Sequence, residues 1–130
     1  MSGGLTGGGA DPLGRVLCRL QEIANGEGKG FTLGHGAAAY DIFVVRQGTQ
    51  VFGYVNRCPH QGTPLDWTPD RFISEDSGLI LCATHGAQFA IADGICLSGP
   101  CIGARLRPVP VVADGRGNVV LGGMPGLRLS

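Results

Sequence analysis

Short apolar runs, each stopped by a turn signal, set the tightest limit on how this chain can fold. Asp41-Ile42-Phe43-Val44-Val45-Arg46 is rich in β-branched and aromatic residues, and Val51-Phe52-Gly53-Tyr54-Val55 follows after a turn around Gly48. The pattern recurs. Phe72-Ile73 and Leu79-Ile80-Leu81 flank Ser77-Gly78, and Gln88 to Ile91 and Ile95 to Leu97 flank Asp93-Gly94. Asp-Gly between such runs is a strong hairpin signal, because glycine reaches the positive φ that hairpin turns need. Arg15 to Leu20 and Phe31 to Leu33 read as earlier strands. Arg105 to Val112 and Val119 to Leu121 close the series around Asp114-Gly115-Arg116-Gly117. Pro108 and Pro110 cannot donate to a ladder, so that penultimate strand belongs at an edge or is irregular. No stretch keeps a helical period. The expectation is an all-β fold: an antiparallel sandwich or partly open barrel, with residues from about 57 to 101 inserted as a loop-rich subdomain.

A chain of 130 residues suits one domain, placed here at 13–122. Its 24 glycines exceed the usual share and fall into turns and the two ends. Residues 1–12 read as a disordered glycine-rich tail and 123–130 as a loose C-terminal tail. The formal charge is zero, which argues against nucleic acid or anionic lipid as a partner. No apolar run reaches membrane-span length, and Met1-Ser2-Gly3-Gly4 lacks a signal peptide's basic and apolar parts, so a cytoplasmic location is expected.

The chemistry concentrates in Cys58-Pro59-His60 and Cys82-Ala83-Thr84-His85. The chain has three histidines, and two fall in these stretches. Each stretch pairs a thiolate donor with an imidazole donor in a loop, which suits one tetrahedral metal or an iron–sulfur cluster with mixed ligation. Five cysteines make an odd count, against a closed disulfide framework. Cys18 reads as a buried thiol, and Cys96 with Cys101 as two free thiols of a reducing compartment, with a bond between them as the lesser alternative. His35 reads as an exposed turn residue. Asp66, Asp70, Glu75 and Asp76 read as a solvated hairpin, with a partner surface as the lesser reading.

The stretches RCPHQGTPLDW and CATHGAQF, with ADGICLSGPC after them, resemble the two cluster boxes and proline loop of Rieske [2Fe–2S] proteins. The resemblance implies that Cys58 and Cys82 bind one iron of a single cluster and His60 and His85 the other. It implies that Gln61, Thr63, Leu65, Thr84, Gly86, Ala87, Phe89 and Pro100 surround the cluster, with Trp67 packed nearby. No catalytic residue is implied, and nothing in the sequence suggests a second metal site, a nucleophile–base pair or a nucleotide loop. The function implied is that of a soluble ferredoxin carrying single electrons from a flavin-containing NAD(P)H reductase to a terminal oxygenase. These partners would dock transiently at the His60/His85 tip. Other readings are a redox-sensing or structural subunit of a larger oxidoreductase and a zinc-binding interaction module.

Departures from the high-potential members of that family carry information. Thr63 and Thr84 stand where those members have an extra cysteine pair. Ala87 and Phe89 stand where they have a Ser and a Tyr that donate to the cluster. The interval from His60 to Cys82 is also longer than in common ferredoxins, and the Ser77-Gly78 hairpin absorbs the excess. Fewer donors stabilise the reduced state less. The expected midpoint potential lies nearer roughly −150 mV than about +300 mV. It falls as pH rises, because reduction raises the proton affinity of the ligating imidazoles. Dye-mediated redox titration across pH checks both expectations.

Overall fold

The computed structural model describes residues 15–34, 36–59, 63–66, 70–83 and 86–122. The two terminal tails, His35, His60, Gln61, Trp67, Thr84 and His85 therefore lie outside the described residues. The strands are β1 (Val16–Arg19), β2 (Gly28–Leu33), β3 (Tyr40–Gln47), β4 (Gln50–Val55), β5 (Ile80–Leu81), β6 (Gln88–Phe89), β7 (Cys96–Ser98), β8 (Pro108–Val109), β9 (Val111–Ala113) and β10 (Asn118–Leu121). They pair antiparallel in three sheets, ordered β2-β3-β4-β8, β1-β10-β9 and β5-β6-β7. The all-β expectation holds, and the sheets do not close into a barrel. Two single 3-10 turns, Leu20–Glu22 and Gly36–Ala38, are too short to leave a periodic signal in the sequence.

Strand β3 explains the layering. Successive side chains of a strand point to opposite faces, yet Ile42, Phe43, Val44 and Val45 all have no solvent exposure. A run buried on both faces must be sandwiched. Ile42 packs with Leu33, Val109 and Leu121, and Val44 packs with Cys18, Ile23, Val51 and Val119. Phe43 and Val45 point the other way, into a cluster with Tyr54, Cys58, Leu65, Phe72, Ile80, Cys82 and Phe89. Phe43 stacks on Phe72 with centroids 4.4 Å apart and planes 6° from parallel. One face of the main sheet thus packs on the β1-β10-β9 sheet. The other packs on the segment that carries the two Cys–His boxes.

The proline-bearing strand behaves as its sequence requires. Pro108 and Val109 form the edge of the main sheet against Tyr54 and Gly53. The chain then breaks at Pro110, and Val111–Ala113 pairs with β10 in the other sheet. A second join comes from Tyr54, whose hydroxyl donates to the Ile91 carbonyl. The Asp93-Gly94 turn lies directly on the Tyr54 ring. Gly94 has φ +74°, and a Cβ there would stand 2.7 Å from the ring, so no other residue fits.

Burial pushes the Tyr54 phenol up to about 12, and nearby Asp93 adds to the shift. The folded state keeps this phenol protonated while the unfolded chain ionises near 10. The stability tied to that proton is complete below pH 10 and is lost as pH rises towards about 12. Thermal melts of the wild type should therefore fall steeply over that window. Those of Tyr54→Phe should start lower, having lost the bond to Ile91, and fall less.

Candidate metal centre

Both boxes are closed by the same backbone device. The chain leaves β4 at Val55, and the Cys58 N–H donates to the Thr63 carbonyl at 2.7 Å. In the second box, which follows β5 directly, the Cys82 N–H donates to the Ala87 carbonyl at 2.8 Å, and the Gly86 N–H returns to the Cys82 carbonyl at 2.8 Å. Each cysteine is thus bonded to the carbonyl five residues ahead, and one histidine falls inside each closed interval of sequence. Among the described residues one backbone bond joins the boxes, from the Ala83 N–H to the Leu65 carbonyl at 2.9 Å. Cys58, Leu65, Cys82, Ala87 and Phe89 have no exposure. Thr63 is half-buried, whereas Gly86 and Pro100 are exposed.

The first box is braced by three residues that sequence reasoning assigned no such role. Asn56 accepts the Leu65 N–H at 2.8 Å through Oδ1 and donates through Nδ2 to the Asp66 carboxylate at 3.0 Å. The other Asp66 oxygen accepts the Asp70 N–H at 3.2 Å. Asp70 in turn takes the Gly30 N–H at 2.7 Å, on the outer edge of β2. Asp70 sits at φ +67°, in the left-handed region that Asp tolerates better than most residues. The expectation of a solvated acidic hairpin is therefore incomplete for these two, since Asp70 is exposed and Asp66 half-buried yet both also accept backbone N–H groups. Asp66 and Asp70 satisfy backbone donors and tie the box to a sheet edge, whereas Glu75 and Asp76 are exposed. A sequence signal existed only in the turn-forming character of Asn56 and the two aspartates.

The third side of the site is the loop after β7. Gly99 has φ +103°, and a Cβ there would come within 2.7 Å of the Ala87 Cα. The Ser98-Gly99-Pro100 loop therefore lies against the second box at backbone contact. Cys96 and Cys101 are both thiols, with the Cys101 Sγ donating to the Cys96 Sγ at 3.1 Å. Burial, the Cys96 contact and the nearby Cys58 and Cys82 push the Cys101 thiol up to about 12.

The residues present fit an inorganic sulfide-containing centre. Two thiols are held at zero exposure by locked backbone, and an imidazole donor falls in each locked interval. The Thr63 Oγ1 is buried with no hydrogen-bond partner, which a sulfur acceptor nearby would supply. Among the described residues no group of three or more His, Cys, Asp or Glu side chains could hold a metal ion elsewhere.

Comparison with known proteins gives the family. The family model for the Rieske [2Fe–2S] domain matches residues 15–113. The chain belongs to the Rieske [2Fe–2S] domain family. A Rieske domain holds one [2Fe–2S] cluster with mixed cysteine and histidine ligation. Among curated proteins none matches in sequence. Among solved structures, the ferredoxin of carbazole 1,9a-dioxygenase from Nocardioides aromaticivorans IC177 is similar, with TM-score 0.66 and 23% identity over 86% of this chain and 99% of that one. The Sphingomonas yanoikuyae B1 ferredoxin gives TM-score 0.61 and 22% identity, over 85% of this chain and 99% of that one. A chain in the reduced complex between oxygenase and ferredoxin in carbazole 1,9a-dioxygenase gives TM-score 0.68 and 23% identity, with 87% of this chain matching 29% of that one. These likenesses show that the fold is shared.

The brace on the first box has a measurable consequence. Asn56→Ala leaves the Leu65 N–H without its acceptor and releases Asp66. The expected cost is about 1–3 kcal/mol of stability. Iron should be released to a chelator faster than from the wild type, and urea unfolding with chelator-capture kinetics reads both effects.

Proposed function

We propose that this Rieske domain is an electron-carrying ferredoxin and not itself a catalyst. It would accept single electrons from a flavin-containing, NAD(P)H-dependent reductase and deliver them to a terminal oxygenase. The observation that carries the reading is the family match, supported by a fold shared over 99% of the length of two ferredoxins. Cys58 and Cys82 would hold one iron, and His60 and His85 the other. When bound, the cluster supplies reversible one-electron reduction. The chain's own residues do the rest. Leu65, Phe89 and Phe72 keep water from the thiolate side, and the two closed loops fix the ligands so that little rearrangement accompanies a change of charge.

Partners would dock at the tip around His60, His85 and Pro100. Leu97 of β7 and Ile102, on either side of Pro100 in sequence, are 52% and 70% exposed and add apolar surface. No helix among the described residues is long and apolar enough to cross a membrane. The cytoplasm is the proposed location.

The test begins with iron and acid-labile sulfide in anaerobically purified protein, expected in equal amounts at two of each per chain. Stopped-flow mixing should then show reduction by a flavin-dependent reductase and reoxidation by a Rieske-type oxygenase. Zinc without sulfide would overturn the cluster. Failure to reoxidise, with the protein held instead in a fixed stoichiometric complex, would replace the carrier with a subunit role.

A further inference from the structure

We infer that Cys96 and Cys101 form a redox-active dithiol, closing reversibly to a disulfide across the loop that flanks the second box. The sulfurs already touch at 3.1 Å, so the bond needs an approach of about 1 Å. The backbone holds them there. The Cys96 N–H donates to the Ala104 carbonyl at 2.8 Å, the Ala104 N–H to the Cys101 carbonyl at 2.9 Å, and the Gly103 N–H to the Cys96 carbonyl at 3.3 Å. Cys96 is 2% exposed and also donates from its Sγ to the Ser98 carbonyl at 3.2 Å, whereas Cys101 is partly open to solvent. Access is therefore ordered, with Cys101 as the entry point and Cys96 as the resolving thiol.

The co-reactant is a small-molecule disulfide such as oxidised glutathione. The Cys101 sulfur attacks one glutathione sulfur, the glutathione disulfide bond breaks, and one glutathione leaves as thiol, giving a mixed disulfide. The Cys96 sulfur then attacks the Cys101 sulfur, and the second glutathione leaves. In sum the two protein thiols lose two hydrogens and two electrons, and oxidised glutathione becomes two molecules of the thiol. Transient disulfides of this kind are the ones expected in a reducing compartment. Closure stiffens the loop whose Gly99 abuts Ala87, and Ala87 accepts the Cys82 N–H. Only this consequence for the cluster rests on the ferredoxin reading.

The experiment incubates cluster-loaded protein with oxidised glutathione for hours, quenches with acid, alkylates under denaturing conditions and maps thiols by peptide mass spectrometry. The expected result is that Cys96 and Cys101 escape alkylation together in a peptide lighter by two hydrogens, Cys18 and Cys82 are alkylated, and dithiothreitol reverses the change. Cys96→Ser should stop at glutathione on Cys101, and Cys101→Ser should leave Cys96 alkylated. Full alkylation of both, glutathione trapped on wild-type Cys101, or a bond to Cys82 instead would overturn the proposal. These masses report the dithiol whether or not the cluster is present. A midpoint shift on closure, absent in Cys101→Ser, separately reports its reach to the cluster.

Discussion

The double-sided burial of β3 is the constraint on which the rest of the structure depends. Ile42 and Val44 are committed to the scaffold face, and Phe43 and Val45 to the face that carries the boxes. A slip of one residue would exchange these two sets and put the Phe43 ring where Ile42 and Val44 now fit. Register along β3 therefore fixes where Phe72 can stack. Phe72 in turn receives the Leu81 N–H on its carbonyl at 2.8 Å, immediately before Cys82. The position of the second box is thus set by packing against β3.

Rigidity at the site has a different origin from stability in the scaffold. The box-bearing sheet has strands of two or three residues, too short to hold their loops by ladder bonds alone. Among the described residues the loops are instead held by a bond from each cysteine N–H, the return bond from Gly86 to Cys82, and the Ala83–Leu65 bond between boxes. Asn56, Asp66 and Asp70 extend this network to the edge of β2. There the Gly30 N–H would otherwise be an open donor on an edge strand. One set of polar groups thereby both blunts a sheet edge and anchors the first box.

The sequence made most of this legible where the signal is local. The hairpins at Gly48 and Asp93-Gly94 follow from turn chemistry, and the irregular strand follows from Pro108 and Pro110. The bracing by Asp66 and Asp70 was not legible, because a carboxylate that caps a distant backbone donor looks, in sequence, like any solvated acid. The Gly30–Asp70 bond spans forty residues. The Cys96–Cys101 contact was hidden for a related reason. Spacing allowed pairing, but only the closure of the loop at Ala104 brings the sulfurs together.

The departures at Thr63, Ala87 and Phe89 acquire a physical meaning once burial is known. Ala87 and Phe89 are fully buried and offer no side-chain donor, so the second box surrounds its side of the site with apolar atoms. Thr63 is the exception, with a buried hydroxyl that has no hydrogen-bond partner among the described residues. Such a hydroxyl is costly unless something accepts from it. The N–H groups of Cys58 and Cys82 do not compensate, since both are already spent on closing their loops. The same bonds that make the loops rigid therefore remove two donors from those that could stabilise added negative charge. Among the described residues, the rigid backbone at both cysteines and the apolar lining of the second box therefore come from the same short stretches of chain.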